Sequence, residues 1–299
     1  MNTYDGIETV PGGDAASPSP VRIAVLQARG EPGDVPRNLE RIARAALEAR
    51  EGGAELLVTP EMFATGYNIG PRLDEVVTDD LVDRLRELAV QAGIALVVGT
   101  GLRGADGIAN AVLAIDADGA VLARYDKTHL FGDLDRSLFV AGEALGPLVA
   151  WRGLRLGLLI CYDVEFPENV RALALAGADL ILVPTAQMEP YAFIAEHLIR
   201  VRAWESQVAI AYANRVGTEG DLRYVGRSSV VGADGVLLAA AGPDRDEVLI
   251  ATIDRVAIER SRAANPYLRD RRPELHSDLF PQTAPRQPDP VTRNERPPA

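Results

Sequence analysis

The only cysteine of the 299-residue chain lies in the stretch GLLICYDVEFPE, which runs from Gly157 to Glu168. Apolar residues lead directly into Cys161 and a Phe-Pro pair follows it, which predicts a buried strand ending at a helix start. A thiol at such a turn would be exposed at the sheet edge near a helix N-terminus, which favours the nucleophilic thiolate. The pattern also fits a small core residue, because free cysteine is among the most buried residue types. Position alone leaves both interpretations open.

Two ionisable side chains occupy comparable places, each directly after an apolar segment: Glu61 in TPEMFATGY and Lys127 in YDKTHLF. Taken singly, Glu61 fits a helix-start acid and Lys127 a solvated loop charge. In open α/β sheets, however, ligands bind outside the carboxyl ends of the strands, so these two residues and Cys161 are expected to converge. A carboxylate can accept the thiol proton, and an ammonium can stabilise the thiolate and then an oxyanion. Together the three residues predict nucleophilic attack on a carbonyl carbon.

The three stretches resemble, in the same order, the signature blocks of the nitrilase superfamily, the carbon–nitrogen hydrolases with a Glu-Lys-Cys triad. The likeness covers about residues 21 to 275. It implies an α/β fold of the four-layer αββα sandwich type, and homodimers that commonly stack into larger assemblies. It also implies that Cys161 is the nucleophile, Glu61 the general base and Lys127 the stabiliser of the tetrahedral oxyanion. The backbone N–H of Tyr162 is expected to be a second oxyanion donor.

Other positions match the superfamily less closely. The family usually has a second glutamate in the loop after the lysine, and the matching stretch here is GDLDRSLFVAG. Asp135 is the expected counterpart, one methylene shorter, with Asp133 as the alternative and a solvated loop acid as the competing interpretation. Tyr67 and Asn110 also match recurrent superfamily positions. Packing is the role expected for both, and Tyr67 is in addition a candidate supporting residue.

The residues after the cysteine bear on the substrate. Branches of the superfamily that hydrolyse N-carbamoyl-D-amino acids carry an arginine pair that holds the substrate carboxylate, and Val164 and Glu165 occupy those places here. Glu165, with Glu168 in the same turn, is expected to repel a carboxylate and to favour an amine. A small primary amide, neutral or amino-bearing as in an ω-amino amide, is therefore the predicted substrate. An N-carbamoyl amine is the alternative, and a catalytically silent scaffold protein is the alternative from another class.

The elements that must position these residues alternate along the chain. Short apolar runs typical of buried strands are VRIAVLQ, AELLVTP, GIALVVGT, ADLILVP and QVAIAYAN. Helical periodicity is found in PRNLERIARAALEAREGG, DDLVDRLRELAVQAG, PENVRALALAGA and AFIAEHLIRVRAWES. Two hairpins are predicted at Asp118-Gly119 and Asp234-Gly235. Alternating strands and helices with added antiparallel pairs predict a layered α/β fold, which we place in one domain from residue 21 to 281.

Composition excludes several classes of function. Forty-three acidic against 31 basic residues give a formal charge of −12, and no basic cluster suited to nucleic acid is present in the sequence. No apolar run approaches the roughly 20 residues that span a bilayer, so a soluble, cytoplasmic enzyme without a membrane partner is expected. Three scattered histidines and one cysteine predict neither a metal site nor a disulfide. We expect an enzyme without a cofactor that forms a homodimer or higher homo-oligomer, with flexible tails over residues 1–20 and 282–299.

Overall fold

A computed structural model describes residues 19–146 and 148–275 of the chain. The main body extends to Leu268, and a short 3₁₀ turn at Pro273–Leu275 follows it. The expected tails, residues 1–20 and 282–299, lie outside the described residues except for positions 19 and 20. Within the described residues, no helix is both long enough and apolar enough to cross a membrane.

The strands are short, and five of those in the described residues are buried along their whole length. In chain order they are β1 Val21–Gln27, β2 Leu56–Val58, β3 Ala95–Arg103, β4 Ile108–Ile115, β5 Val121–Asp126, β6 Val149–Trp151, β7 Leu154–Leu158, β8 Leu180–Pro184, β9 Ala209–Ala213, β10 Thr218–Glu219, β11 Leu222–Arg223, β12 Ser229–Val231, β13 Leu237–Ala240 and β14 Glu247–Ile253.

The α-helices are α1 Val35–Glu51, α2 Leu73–Val76, α3 Leu81–Ala92, α4 Gly132–Leu138, α5 Pro167–Leu175, α6 Ile199–Ser206 and α7 Arg255–Ala264. Helix α1 begins at an Asp34 N-cap, whose side chain accepts a hydrogen bond from the Arg37 N–H, and has a proline in its first turn. Helix α3 ends at Gly93, which adopts the left-handed conformation (φ 63°) that glycine tolerates best.

Twelve of these strands form two six-stranded sheets, and β10 and β11 pair separately with each other. The first has the order β14-β1-β2-β3-β4-β5 and the second the order β13-β12-β9-β8-β7-β6. At the centre of each sheet the strands are parallel, β1 with β2 and β3 in the first, and β7 with β8 and β9 in the second. Antiparallel strands extend both sheets to their edges.

The two sheets pack face to face, and helices cover their outer faces. Along β1, Ile23 and Val25 lie in the core between the sheets, whereas Ala24 and Leu26 pack against the side chains of α1 and α3. On the other side, α5 and α6 contact each other and cover the second sheet. Because both faces of the central strands are buried, their sequences are continuous apolar runs and do not alternate between apolar and polar residues. The predicted four-layer αββα sandwich is confirmed.

The predicted strands and both hairpins are present, whereas β6, β10, β11, β14 and the short helix α2 were not predicted, and three further helical segments differ from expectation. The segment 192–206, predicted as one helix, begins with a π-helical turn at Ile194–Leu198 before α6. The stretch expected as a loop after Lys127 contains α4. Helix α7, which follows β14, was not predicted because its sequence RVAIERSRAA has few apolar residues and buries only Ile258.

The carboxyl ends of several strands meet at one edge of the sandwich. Glu61 follows β2, Lys127 follows β5, and Cys161 follows β7 in the opposite sheet. The main-chain N–H of Glu61 donates to the carbonyl of Thr185, just after β8, over 3.3 Å, which joins the two sheets at this edge. Chain connectivity thus brings together three residues that span 100 positions of the sequence.

Candidate active site

A fully buried ion pair joins the first two predicted residues. Lys127 Nζ lies 2.7 Å from Glu61 Oε1, and neither side chain is exposed to solvent. Asn110, on β4, donates from Nδ2 to the same carboxylate oxygen over 2.7 Å. The second oxygen, Glu61 Oε2, is buried and accepts no hydrogen bond from the described residues. Asn110, for which packing was expected, therefore also contacts the carboxylate directly and leaves one of its oxygens free.

The second carboxylate beside Lys127 is that of Asp135, which lies on α4. Its Oδ2 is 2.7 Å from Lys127 Nζ and accepts the main-chain N–H of Phe131, while its Oδ1 accepts the hydroxyl of Tyr67 over 2.5 Å. Asp133, the alternative position, is fully exposed and lies 3.9 Å from Arg136. The structure therefore places Asp135, and not Asp133, against the lysine.

Burial and the neighbouring charges set the protonation of this cluster. Burial raises the pKa of Glu61 above its usual value, although the nearby Lys127 charge lowers it. Burial alone would lower the pKa of Lys127, but the carboxylates of Glu61 and Asp135 outweigh it and hold that pKa well above its usual value. Burial also raises the pKa of Tyr67, which therefore remains a hydrogen-bond donor. The lysine is a permanent ammonium ion held between two carboxyl groups.

Cys161 lies at the start of a five-residue 3₁₀ turn, Cys161–Glu165, between β7 and α5. Its φ of 45° is in the left-handed region, which a non-glycine residue adopts only when the surrounding structure enforces it. The carboxylate of Asp163 supports this turn, since its Oδ2 accepts the N–H of Ile160 over 3.2 Å. A sharp turn of this kind lifts the side chain away from the preceding strand.

Asp163 also reaches across to the segment that carries Lys127. Its carboxylate accepts hydrogen bonds from the hydroxyls of Tyr125 (2.9 Å) and Thr128 (3.0 Å) and from the main-chain N–H of His129 (2.9 Å). Asp163 is fully buried, so this is a hub that ties the cysteine turn to the lysine segment. This role of Asp163 was not predicted, although its place two residues after Cys161 in the same motif was an available signal.

The thiol itself is buried and has few partners. Cys161 is 7% exposed, and its Sγ lies 4.0 Å from Gln187 Oε1. Gln187 is held by the hydroxyl of Tyr212, 3.3 Å from the same oxygen, and by a 2.8 Å hydrogen bond from its main-chain N–H to Asn214 Oδ1. Gln187 and Asn214 were not predicted, because they lie in unrelated segments after β8 and β9.

The expectation of an exposed thiolate stabilised by a helix N-terminus is wrong. Burial and then the charge of Glu61 raise the pKa of Cys161 well above its usual value, and Lys127 only partly opposes them. The turn after Cys161 is a 3₁₀ turn, and the α-helix begins only at Pro167, too far along the chain to act on the sulfur. In the resting protein Cys161 is therefore a neutral thiol.

Glu165 ends the cysteine turn and is only partly buried. Burial raises its pKa to about 7, although Lys127 and Arg202 lower it, and its charge in turn acts on Cys161. The guanidinium of Arg202 does not neutralise it, since it donates to the main-chain carbonyls of Val164 and Glu165 and pairs with Glu205 over 2.8 Å. The structure thus brings a carboxyl group whose pKa is about 7 close enough to Cys161 to affect the pKa of the thiol.

The ring of Tyr162 packs edge-on against the rings of Phe131 and Phe166, with centroid distances of 5.2 and 4.9 Å.

Among the described residues, no group of three or more His, Cys, Asp or Glu side chains is arranged to hold a metal ion. The site consists instead of a buried ammonium between two carboxyl groups, facing a neutral thiol on the opposite sheet. A thiol, a carboxyl group with one free oxygen and a fixed ammonium are the groups needed for acyl transfer through a covalent intermediate.

Comparison with known proteins identifies the family of the chain. The family model described as carbon-nitrogen hydrolase matches residues 22–263. A Pseudomonas protegens protein named "Hydrolase in pqqF 5'region" is 50% identical, over 91% of this chain and 96% of its own length. An (R)-stereoselective amidase from a Pseudomonas species is 35% identical, over 84% of this chain and 92% of its own length. The amidase from Nesterenkonia sp. AN1, solved in complex with acrylamide, superposes with a TM-score of 0.80 at 38% identity, covering 89% of this chain and 100% of that structure.

The fold, the matched family and these relatives define the class of the protein. The chain belongs to the carbon–nitrogen hydrolase family, and thus to the nitrilase superfamily. Within that family its relatives and structural neighbours support an amidase.

Proposed function

We propose that this protein hydrolyses small primary amides to the acid and ammonia through a thioester on Cys161. The observation that carries the proposal is the buried Glu61–Lys127–Asp135 cluster placed within electrostatic range of a thiol on the opposite sheet. The nucleophile, the base and the positive charge needed for acyl transfer are all present without a further group.

The first half of the reaction forms the thioester. The sulfur of Cys161 attacks the amide carbon, and its proton passes to Glu61, whose free Oε2 is available to receive it. The carbonyl oxygen becomes an oxyanion, which the ammonium of Lys127 and the main-chain N–H of Tyr162 stabilise. When this intermediate collapses, the C–N bond breaks and the proton on Glu61 moves to the leaving nitrogen, so that ammonia departs and the acyl group stays on sulfur.

The second half releases the acid. Glu61, again ionised, takes a proton from a water molecule that attacks the thioester carbon. Collapse of this second intermediate breaks the C–S bond, and the proton returns to the sulfur. The raised pKa values of both groups suit this cycle, because the proton is shared between a neutral thiol and a carboxyl group that is less acidic than usual.

Glu165 supports the narrower proposal of a neutral or amino-bearing amide. A carboxyl group in this place repels a substrate carboxylate and gains energy from an ammonium group. The complexes of the Nesterenkonia amidase with acrylamide and butyramide support small uncharged amides. An N-carbamoyl amine is the second candidate, because its amine would be equally compatible with Glu165.

A screen for ammonia release tests these proposals. We expect butyramide and an ω-amino amide to give higher kcat/KM values than an N-carbamoyl amino acid or a nitrile. Glu165→Gln, as the matched control, should lower the ratio of the kcat/KM value for the ω-amino amide to that for its neutral isostere. A carbamoyl acid as the best substrate would refute the charge argument. No turnover of any compound would favour the catalytically silent scaffold.

We also propose that the protein acts in the cytoplasm as a homodimer or higher homo-oligomer. Support for self-association comes from apolar side chains that are 41–47% exposed on α6 and on the neighbouring hairpin, namely Val201, Trp204, Leu237 and Leu238. Analytical ultracentrifugation of the full chain tests the assembly, and a monomer at micromolar concentration would contradict it.

A further inference from the structure

A second buried ion pair lies close to the candidate site. Arg215 follows β9 and bridges to Ala28 at the end of β1, so it lies at the same carboxyl edge of the sandwich. Its Nη1 is 2.9 Å from Oε2 of Glu219 on β10, and each side chain is 1% exposed. Two charges held this far from solvent need a physical reason, because their desolvation commonly offsets their attraction.

The geometry of the Arg215–Glu219 ion pair is poorly suited to stabilising the folded state. Nε and Nη1 of Arg215 are buried and donate no well-aligned hydrogen bond to the described residues, although Nη1 lies close to the Glu219 carboxylate. The guanidinium instead lies against two aromatic rings, 4.9 Å from the centroid of Tyr224 and 6.0 Å from that of Phe63. A buried cation with unsatisfied donors contributes less to folding than a fully hydrogen-bonded one.

Glu219, by contrast, is fully used, and its partners lead towards the lysine. Its Oε2 accepts the hydroxyl of Tyr224 over 2.7 Å, and its Oε1 accepts the main-chain N–H of Tyr67 over 2.8 Å. Burial raises the pKa of Tyr224 well above its usual value, so its hydroxyl remains a donor. Glu219 therefore holds the backbone of the loop that follows β2, the loop that carries both Glu61 and Tyr67.

The fit between this loop and Glu219 is close. Gly66, immediately before Tyr67, has a φ of 98°, which side chains rarely tolerate. A Cβ on Gly66 would lie 2.8 Å from the nitrogen of Gly33 and 3.2 Å from Glu219 Oε1. The backbone at Gly66 therefore lies so close to the Glu219 carboxylate that there is little room for a side chain at this position.

We propose that Arg215, Glu219 and Tyr224 are positioning residues for the candidate active site. Arg215 and Tyr224 orient the Glu219 carboxylate, which fixes the backbone of Tyr67, so that the Tyr67 hydroxyl holds Asp135 and Asp135 holds Lys127. This role rests on the function proposed above for Lys127. It gives the segment ANRVGTEGDLRYVG, from Ala213 to Gly226, a part in acyl transfer although Arg215, Glu219 and Tyr224 do not contact the reacting groups.

The decisive variant replaces the pair by apolar residues, Arg215→Met with Glu219→Leu. Such replacements often preserve stability, so folding and positioning can be separated. We expect a folded protein whose kcat on butyramide falls about 10- to 100-fold, with KM within about threefold, because small displacements of a catalytic group have effects of this size. Alkylation of Cys161 by iodoacetamide at fixed pH should slow about tenfold, because a displaced Lys127 stabilises the thiolate less.

A matched control uses the other buried acid that pairs with arginine. Asp179 lies 3.3 Å from Nη1 of Arg262, which is on α7. Asp179→Asn with Arg262→Met should lower the melting temperature while kcat and the alkylation rate stay within about twofold of wild type. If this control slows alkylation as much as the test pair does, a general loss of order explains both and the proposal is overturned.

A milder variant keeps the proposal testable if the apolar pair fails to fold. Tyr224→Phe retains the ring against Arg215 and removes one hydrogen bond to Glu219, so we expect an unchanged melting temperature and kcat and alkylation rates reduced about threefold or more. Wild-type rates in Tyr224→Phe, or in a folded apolar pair, would overturn the proposal. Alkylation needs no substrate, so it still tests positioning if primary amides are not turned over and the proposed function itself fails.

Discussion

The two sheets contribute very different halves to the candidate site. The first sheet supplies Glu61, Lys127 and Asp135, which are charged, fully buried and joined by hydrogen bonds of 2.7 Å. The second supplies Cys161, a neutral thiol whose Sγ lies 4.0 Å from the side-chain oxygen of Gln187. One half is joined by hydrogen bonds and charged at rest, and the other makes few polar contacts and is uncharged.

In the proposed reaction, this difference determines which groups are charged before substrate binds and which become charged only afterwards. The ammonium and its carboxylates are fixed before substrate arrives, so no reorganisation is needed when an oxyanion forms. In the proposed mechanism the thiol ionises only as its proton moves to Glu61, which avoids a buried thiolate before substrate binds. Mutations can therefore distinguish the charged cluster of Glu61, Lys127 and Asp135 from Cys161, because we expect different effects on activity and on stability in the two cases.

Removing the nucleophile should produce the largest loss of activity with little loss of stability. We expect Cys161→Ala to reduce kcat by about a millionfold, as removal of a nucleophile does, because no other thiol is present in the chain. The thiol makes few polar contacts, so the melting temperature should fall by only a few degrees. Ammonia release and a thermal melt check both expectations. Appreciable turnover would show that another group forms the covalent bond, and a large loss of stability would place Cys161 in the structural core.

Changes in the charged cluster should damage both activity and stability. Glu61→Gln and Lys127→Met should each lower kcat about a thousandfold or more, and the double variant should be far less impaired than the product of the two effects. Lys127→Met should in addition destabilise the protein by about 3–5 kcal/mol, because it leaves two buried carboxyl groups without a counter-ion. Urea unfolding measures the second effect. Fully multiplicative losses of kcat would mean that the two residues do not act as one unit.

Glu165 should have the smallest effect, and that effect should depend on pH. Its pKa is about 7 in the folded protein against an ordinary value of 4.5, so the folded state binds the proton more tightly than the unfolded chain. The stability that this group contributes is full below pH 4.5 and is lost as the pH rises through about 7.

Glu165→Gln is neutral at every pH, so it should be more stable than wild type at pH 8 and equal to it near pH 4, where the carboxyl group is protonated in both the folded and the unfolded state. Partial exposure of the carboxyl group limits the difference to about 1–2 kcal/mol. Urea unfolding of both proteins at the two pH values checks this. An equal difference at both values would show that packing, and not ionisation, separates the two proteins.

Local patterns in the sequence were sufficient for most of the fold. The run VRIAVLQ predicts a strand buried on both faces, and the Asp118-Gly119 and Asp234-Gly235 pairs predict hairpins that the structure contains. Helix α7 could not be predicted because it buries little and has no strong apolar periodicity. The convergence of Glu61 and Lys127 was predicted because each directly follows a strand, and strand ends meet at one sheet edge.

The sequence by itself thus determined the strands, the family and the three residues expected to act, since all three lie in short contiguous motifs. Only the tertiary structure decided that Cys161 rests as a neutral thiol, because its pKa depends on burial and on the charge of Glu61, 100 residues away. The same holds for the hydrogen bond from Asn110 to Glu61 and for the path from Glu219 through Tyr67 to Asp135. These contacts join residues 49 to 152 positions apart, and the distance between such residues is set by how the two sheets pack.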